Sequence, residues 1–390
     1  MRTRFLAIVW VVLLLLLVPV FSFMNTGTAA AADGLVSKIV YPNKPSYEKN
    51  EVVVACCQFE RVISEPAKNL EKIKRMTIEA AEKGANIILF AEFALANYGT
   101  PETVPGPSSL AIADIAKKYG VYVVYGFQEK NVTAKPGDYP AYDSTAIIGP
   151  NGIIGVYRKT HLAPVELYEK GAGPIAFNTP WGPVGVTICY DNYSYHELHR
   201  IYALMGARLV LNATNIFYTP DMKDNFFLEA QYHRGLQSLI GENWSFIASA
   251  NNVGWSAAGL FSFGKSEIIG PARMYLAPTY EAVYYAGPGS DKEEIVMGKL
   301  DLTITDKLRE FGKMFWADPM HHDKPTFETD IWVKWMLPED KLLVDRQTLH
   351  TAAQEKASAN QTRDIAIIVA AVLLLSTIIF AILAFKPKKK

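Results

Sequence analysis

The sequence has few cysteines, no excess of charge of either sign and no internal repeat. Its 390 residues include three cysteines, two of which, Cys56 and Cys57, are adjacent. So few thiols exclude a framework of several disulfides. Lysine and arginine together number 39, as do aspartate and glutamate, giving a formal net charge of +0. This balance argues against a nucleic-acid partner and against an acidic disordered chain.

The two ends of the chain carry long apolar segments. Arg2 and Arg4 precede an uncharged run over 5–24, and small residues follow over 25–32. This order predicts an export signal over 1–32, with an uncleaved N-terminal anchor as the alternative. At the other end, 365–385 is a run of 21 residues without charge, followed by four lysines in 386–390. Its length and flanking charge predict a transmembrane helix with a cytoplasmic basic tail.

These end segments predict a topology for the whole chain. Residues 33–337 form the predicted catalytic domain with its C-terminal extension, and the polar stretch 338–364 is predicted to be a stalk. An amphipathic helix lying on the membrane surface is the alternative for that stretch. Because both positively charged ends should remain inside, we expect the catalytic domain outside the cytoplasm, tethered to the cell membrane.

Strands and helices alternate between the two ends. Apolar, β-branched runs at 52–57, 86–90, 121–126, 208–211 and 244–250 predict strands, and 144–148 with 152–157 predict a hairpin. Residues 70–83, 110–119 and 227–239 have helical spacing. This alternation favours a layered α/β fold.

Three predicted strands end in residues that could act together. Glu92 follows the run 87–90, Lys159 follows 153–157, and Cys189 ends the run 185–188. Singly, each has an ordinary interpretation: a solvated carboxylate or ammonium, or a buried cysteine. Together they supply a nucleophile, a base to remove its proton and a cation for a tetrahedral oxyanion.

Other reactive residues give weaker indications. His161 and the pair His321 and His322 lack the carboxylate or thiol spacing that would complete a metal site, so we expect neither metal nor cofactor. Cys56 and Cys57 lie on a predicted buried strand and are expected to be inert.

The three strand-end blocks occur in the order found in one known family. Leu89-Phe90-Ala91-Glu92, the segment 157–162 with Lys159, and the segment 185–191 with Cys189 together resemble the nitrilase superfamily of carbon–nitrogen hydrolases. The similarity extends from about residue 51 to 332 and includes a late hairpin at 264–271. Cys-Tyr-Asp at 189–191 is more similar to the amidase-like branches than to true nitrilases.

The resemblance implies a fold and a set of roles. The fold would be an αββα sandwich, with a homodimer as the assembly. Glu92 would be the general base, Lys159 the oxyanion stabiliser, and Cys189 the nucleophile. Glu166 would be a second glutamate that positions the substrate and supports the lysine. The backbone N–H of Tyr190 would complete the oxyanion hole.

The substrate pocket departs from many relatives. No arginine follows Cys189-Tyr190-Asp191, where many relatives bind a substrate carboxylate. Tyr193 and Asn215, with Phe217 and Tyr218, are candidates for lining a neutral, aromatic pocket. We therefore expect a small-molecule amide, hydrolysed through a cysteine thioester. The alternatives are a membrane-associated N-acyltransferase that uses the same cysteine, and nitrile hydrolysis.

Overall fold

Two six-stranded sheets contain twelve of the fifteen strands found in the described residues. The computed structural model describes residues 47–96, 101–193, 195–218, 226–255, 259–272 and 282–314. The predicted signal, stalk, membrane helix and basic tail lie outside these residues. Among the helices within them, none has the length and apolar character needed to cross a membrane.

The described strands and helices alternate as the sequence predicts. The strands are β1 (Glu51–Gln58), β2 (Ile87–Phe90), β3 (Tyr122–Lys130), β4 (Ala141–Gly149), β5 (Gly152–Arg158), β6 (Ile175–Thr179), β7 (Gly182–Ile188), β8 (Leu209–Ala213), β9 (Phe217–Tyr218), β10 (Phe246–Ala250), β11 (Val253–Trp255), β12 (Phe261–Phe263), β13 (Glu267–Pro271), β14 (Ala282–Ala286) and β15 (Glu294–Asp301). The helices are α1 (Pro66–Glu82), α2 (Pro107–Tyr119), α3 (Tyr190–Tyr193), α4 (Glu197–Leu204), α5 (Phe226–Asn243) and α6 (Thr303–Met314).

Each large sheet has a parallel centre. The first has the order β15-β1-β2-β3-β4-β5, and its strands β1, β2 and β3 run parallel. The second has the order β14-β13-β10-β8-β7-β6, and β7, β8 and β10 run parallel. A small antiparallel sheet, β11-β12-β9, follows the ends of β8 and β10. Parallel strands gather their carboxyl ends at one edge, where α/β folds place ligands.

The two sheets pack face to face, and helices cover their outer faces. Ile87 and Leu89 of β2 lie in the core between the sheets with Val186 of β7, whereas Ile88 and Phe90 face the helical side. Strands buried on both faces appear as continuous apolar runs, which explains why the sequence marks them so clearly.

The helices bury one face each against the sheets. Ile73 of α1 and Ile112 of α2 pack on the first sheet, and Leu236 and Ile240 of α5 pack on the second. Proline at the first position starts α1 and α2, and Gly120 ends α2 in the left-handed conformation with φ 69°. The layers are therefore helix, sheet, sheet, helix, which confirms the αββα sandwich.

Some elements lie beyond what the local pattern predicts. Strand β15 pairs antiparallel with β1, joining Glu51 to Asp301 across most of the domain. Strands β6 and β14 form the two edges of the second sheet. Such pairings depend on tertiary contacts between distant segments, so their short sequences carry little signal.

Candidate functional site

Three strand ends from the two sheets meet at one place. Glu92 lies two residues beyond β2, whereas Lys159 and Cys189 directly follow β5 and β7. The backbone N–H of Glu92 donates to the carbonyl of Thr214 at 3.2 Å, and that of Cys189 donates to the carbonyl of Ala213 at 2.9 Å. The end of β8 therefore joins the loop that carries Glu92 to the turn that carries Cys189.

Cys189 occupies a strained turn between β7 and α3. Its φ is 43°, in the left-handed region that residues with a side chain rarely adopt. Asp191 holds this turn, because its Oδ2 accepts the N–H of Ile188 at 3.0 Å and the hydroxyl of Tyr157 at 2.6 Å. A strand–turn–helix junction of this kind presents a nucleophile at the edge of the sheet.

Glu92 depends on a close approach to β3. A Cβ added at Gly126 would lie 2.5 Å from the carbonyl oxygen of Ala91 and 2.7 Å from the Cα of Glu92. No side chain fits there unless the backbone moves. Glycine at 126 therefore lets the loop that carries Glu92 lie against the sheet.

Lys159 is the centre of the charge arrangement. Its Nζ lies 2.6 Å from Glu92 Oε1, 2.6 Å from Glu166 Oε1 and 3.2 Å from Asp143 Oδ2, and its side chain has no exposed surface. Burial alone would lower its pKa. The charges of Glu92 and Asp143 outweigh burial and hold the pKa of the ammonium well above its usual range.

Glu166 reaches the lysine from the loop after β5. Its Oε2 accepts the N–H of Ala163 at 2.7 Å, and its own N–H donates to the carbonyl of Ala163 at 2.9 Å. This local turn aims the carboxylate inward. Burial and the nearby charge of Glu92 raise its pKa, while Lys159 acts in the opposite direction.

The surroundings of the Cys189 thiol favour its protonated form. Burial and the charge of Glu92 raise its pKa, whereas Lys159 lowers it. Hydrogen bonds to the sulfur from the hydroxyl of Thr214 and the backbone N–H of Asn215 also lower it. Because the thiolate is the nucleophilic form, this thiol could act as a nucleophile only with a base to take its proton.

Sequence reasoning missed two residues at this site, Asp143 and Thr214. Asp143 is fully buried on β4 beside Lys159. The sequence did contain a signal, because Asp143 is the one charged residue in the strand Ala141–Gly149. An acid is seldom fully buried unless it is paired. Thr214 has no comparable signal, since a threonine after an apolar strand is ordinary.

The predicted pocket residues have different surroundings. Tyr190 begins α3, where backbone N–H groups have no acceptor within the helix. The hydroxyl of Tyr193 donates to Thr214 Oγ1 at 3.1 Å, so it supports the thiol's partner. Asn215 Oδ1 accepts hydrogen bonds at 3.0 Å from Asn252 and Ser262.

The two aromatic candidates beyond Asn215 lie on the small sheet. Phe217 is exposed, and Tyr218 stacks on Phe263 with ring centroids 5.7 Å apart. Both lie on β9, which begins two residues after Asn215. Their part in substrate binding stays a prediction.

The other reactive residues have structural surroundings. Both ring nitrogens of His161 lie 3.1 Å from carboxylates, those of Asp191 and Glu197. Cys56 and Cys57 are fully buried in β1, and burial raises the pKa of each thiol. His321 and His322 lie outside the described residues.

One cluster of the described residues has the spacing of a cation site. Oxygens of Glu92, Asp143 and Glu166 lie within 4.8 Å of one another. The ammonium of Lys159 contacts all three carboxyl groups, so the cation at this position is the lysine itself. The arrangement combines a thiol, a base and a buried ammonium, which suits acyl transfer.

Known proteins are similar to this chain in sequence and in fold. The carbon–nitrogen hydrolase family matches residues 53–309. A probable nitrilase of Schizosaccharomyces pombe is 31% identical over 280 residues, covering 68% of this chain and 95% of the relative.

Solved structures of other proteins have a similar fold. A carbon–nitrogen hydrolase from Helicobacter pylori matches with a TM-score of 0.56 and 21% identity, over 70% of this chain and 95% of that chain. A mutant amidase from Nesterenkonia sp. matches with a TM-score of 0.50 and 19% identity, over 68% and 96% of the two chains. That structure shows the acetamide moiety of fluoroacetamide added covalently at the active-site cysteine. This chain therefore belongs to the carbon–nitrogen hydrolase family of the nitrilase superfamily and is an enzyme of that family with an active-site cysteine.

Proposed function

We propose that the enzyme hydrolyses a non-peptide amide through a thioester on Cys189, releasing ammonia or an amine and a carboxylic acid. The observation that carries this proposal is the position of the buried Lys159 ammonium, 2.6 Å from each of Glu92 and Glu166. It lies where the strand ends that bear Glu92, Lys159 and Cys189 meet. An ammonium fixed in a buried site is a preorganised partner for a developing oxyanion.

The first half of the reaction forms the thioester. Glu92 takes the thiol proton as the sulfur of Cys189 attacks the amide carbonyl. Lys159 and the backbone N–H of Tyr190 stabilise the oxyanion. Glu92 then gives the proton to the departing nitrogen, the C–N bond breaks, and ammonia or an amine leaves.

The second half releases the acid. Glu92 takes a proton from water as the water oxygen attacks the thioester carbonyl. The C–S bond breaks, the proton returns to the sulfur of Cys189, and the carboxylic acid leaves. The enzyme is thereby restored to its resting protonation state.

The reaction is tested on the full-length chain, purified in detergent and exposed to short amides, carbamoyl compounds and nitriles. We expect an acyl adduct on Cys189 by intact-protein mass, together with ammonia release from amides. Cys189→Ala should form no adduct and should lose turnover by at least about 10⁴-fold, as for other nucleophile deletions. Cys57→Ala is the matched control, because that thiol is buried in β1 and should leave both signals unchanged.

Each alternative has its own signature in the same experiment. Turnover of nitriles without turnover of amides would favour nitrile hydrolysis. An adduct that is resolved by an added amine, but not by water, would favour the acyltransferase. Wild-type turnover retained in Cys189→Ala would contradict the thioester mechanism altogether.

We also propose that the enzyme is tethered to the cell membrane with its catalytic domain outside the cytoplasm. The support is the uncharged 21-residue run 365–385, the lysines of 386–390, and the signal-like segment 1–32. The full-length chain should stay with membranes during alkaline carbonate washing, and Leu374→Arg should release it. If the wild-type chain and Leu374→Arg were both found in the wash supernatant, the tether would be contradicted. The dimer stays a prediction of the family resemblance.

A further inference from the structure

Asp143 lies beside Glu92, Lys159 and Glu166, and the proposed reaction gives it no role. Its side chain is fully buried on β4. The next residue, Ser144, pairs with Arg158 at the end of β5. The backbone N–H of Lys159 donates to the carbonyl of Asp143 at 2.8 Å. The pairing of β4 with β5 therefore fixes the aspartate next to the catalytic ammonium.

Asp143 lacks the donors that a buried carboxylate needs. Neither of its oxygens receives a hydrogen bond from the described residues, although Oδ2 lies 3.2 Å from Lys159 Nζ. Directly opposite on β3, the Oε1 of Gln128 is a second buried oxygen without a donor. An ionised carboxylate left in this way loses its hydration without compensation.

The number of charges at the site also disfavours ionisation of all three acids. Glu92, Asp143 and Glu166 contribute three carboxyl groups around one ammonium, with oxygens within 4.8 Å of one another. If all were ionised, two negative charges would stand unbalanced in a buried site. Like charges at this separation favour one shared proton.

The contacts indicate which group holds that proton. Glu92 and Glu166 each accept a hydrogen bond from Lys159 at 2.6 Å, and Glu166 accepts a second one from Ala163. Asp143 accepts none and is the most deeply buried acid of the three. A proton on Asp143 would turn its approach to the Glu92 carboxylate, otherwise a contact between two acceptors, into a hydrogen bond.

We propose that Asp143 is a positioning residue that stays protonated in the resting enzyme and donates a hydrogen bond to Glu92. This role rests on the proposed reaction at Cys189. The ammonium of Lys159 has three N–H donors, and Glu92 and Glu166 use two. A neutral Asp143 attracts the third donor much less than a carboxylate would, so this donor is available to the substrate oxyanion.

The same role gives the activity a pH dependence. The titratable groups that face Asp143 are Glu92, Lys159 and Glu166. Burial raises the pKa of Asp143 well above its usual range, Lys159 opposes this rise, and Glu92 adds to it. As pH rises through that pKa, Asp143 loses its proton, repels Glu92 and takes the third donor of Lys159, so kcat/KM falls on the alkaline side.

The experiment compares three substitutions in the full-length chain. Asp143→Asn keeps an N–H donor and cannot ionise, so kcat/KM at neutral pH should stay within about threefold of wild type and the alkaline fall should disappear. Asp143→Ala removes the donor, and its kcat/KM should fall by roughly 10- to 100-fold, which corresponds to the loss of one hydrogen bond to a charged group. Thr145→Val, on the same face of β4 two residues further on, should leave the pH profile unchanged.

An infrared difference spectrum tests the protonation without any turnover. Wild type should show the carbonyl band of a protonated carboxylic acid at neutral pH, and Asp143→Asn should lose it. If the band is absent, or if Asp143→Asn is as damaging as Asp143→Ala at every pH, then Asp143 is ionised and the proposal is overturned. If no amide is turned over but the band is present, the reaction assignment has failed and the protonation state still holds.

Discussion

Lys159 and Arg208 are two of the buried cations among the described residues, and their surroundings are opposite. Lys159 is enclosed by carboxyl groups at the ends of the sheets, with contacts of 2.6–3.2 Å to three acids. Arg208 precedes β8 and is 1% exposed, yet it contacts one carboxylate, Asp306, at 2.7 Å.

Neutral oxygens accept the other hydrogen bonds of the two terminal nitrogens of Arg208, whereas its Nε has no acceptor among the described residues. Its guanidinium donates to Asn50 Oδ1 and to the carbonyls of Lys49 and Trp181 at 3.0–3.1 Å, and it lies 3.9 Å from the centre of the Tyr47 ring. These contacts join the segment before β1, the turn before β7 and helix α6.

The difference between the two sites separates chemistry from structure. Around Arg208, a guanidinium that keeps its charge meets one carboxylate and several neutral acceptors, so no proton needs to move. Around Lys159, the acids outnumber the cation and a thiol lies beside them. Excess charge in a buried site is resolved by shifted protonation, which is the property a general base requires.

Lys159→Met should have the largest effect. Removing the ammonium takes away an oxyanion partner, and we expect kcat/KM to fall by about 10³-fold, the upper range for one such donor. Activity should be normalised to folded protein by circular dichroism, because the substitution leaves three acids without their cation. Lys299→Met is the matched control, since that lysine is exposed and pairs with exposed Glu51. Activity within tenfold of wild type would show that the reaction does not use the ammonium.

Arg208→Met should lower stability and leave the chemistry alone. Breaking a buried ion pair costs about 3–5 kcal/mol, and we expect about 3 kcal/mol because the Asp306 side chain is 41% exposed and can be hydrated. Urea unfolding of the full-length chain measures the change, while kcat/KM per folded molecule should remain that of wild type. Arg75→Met, at a largely exposed pair with Glu293, is the control. A fall in kcat/KM at unchanged stability would reverse the distinction between the two cations.

Asp306→Asn should have the smallest effect. The amide still accepts a hydrogen bond from Arg208, and the lost charge is partly exposed, so the free energy of unfolding should change by less than about 1 kcal/mol. Urea unfolding at low and high salt measures it. A loss as large as that of Arg208→Met would mean that the ion pair, and not the neutral acceptors, supplies the stability at Arg208.

Much of the sandwich was predictable because its central strands are buried on both faces. The run 87–90 is apolar throughout and Glu92 lies two residues after it, and the run 185–188 is apolar except for Thr187 and is followed at once by Cys189. Strands such as β15 were not predictable, because β15 is defined by its pairing with β1 and not by its own pattern. The close approach at Gly126 has the same origin, since only the fold brings that glycine against Glu92.

The sequence by itself determined the identities and order of Glu92, Lys159 and Cys189, and the positions of these residues at strand ends. Both follow from local periodicity and from the succession of strands and helices. Only the tertiary structure decided that Glu166 reaches the lysine, that Thr214 bonds to the thiol, and that Asp143 lies buried among the charges. The physical reason is that burial and the distance between charges set protonation, and both quantities arise from segments that are remote in the chain.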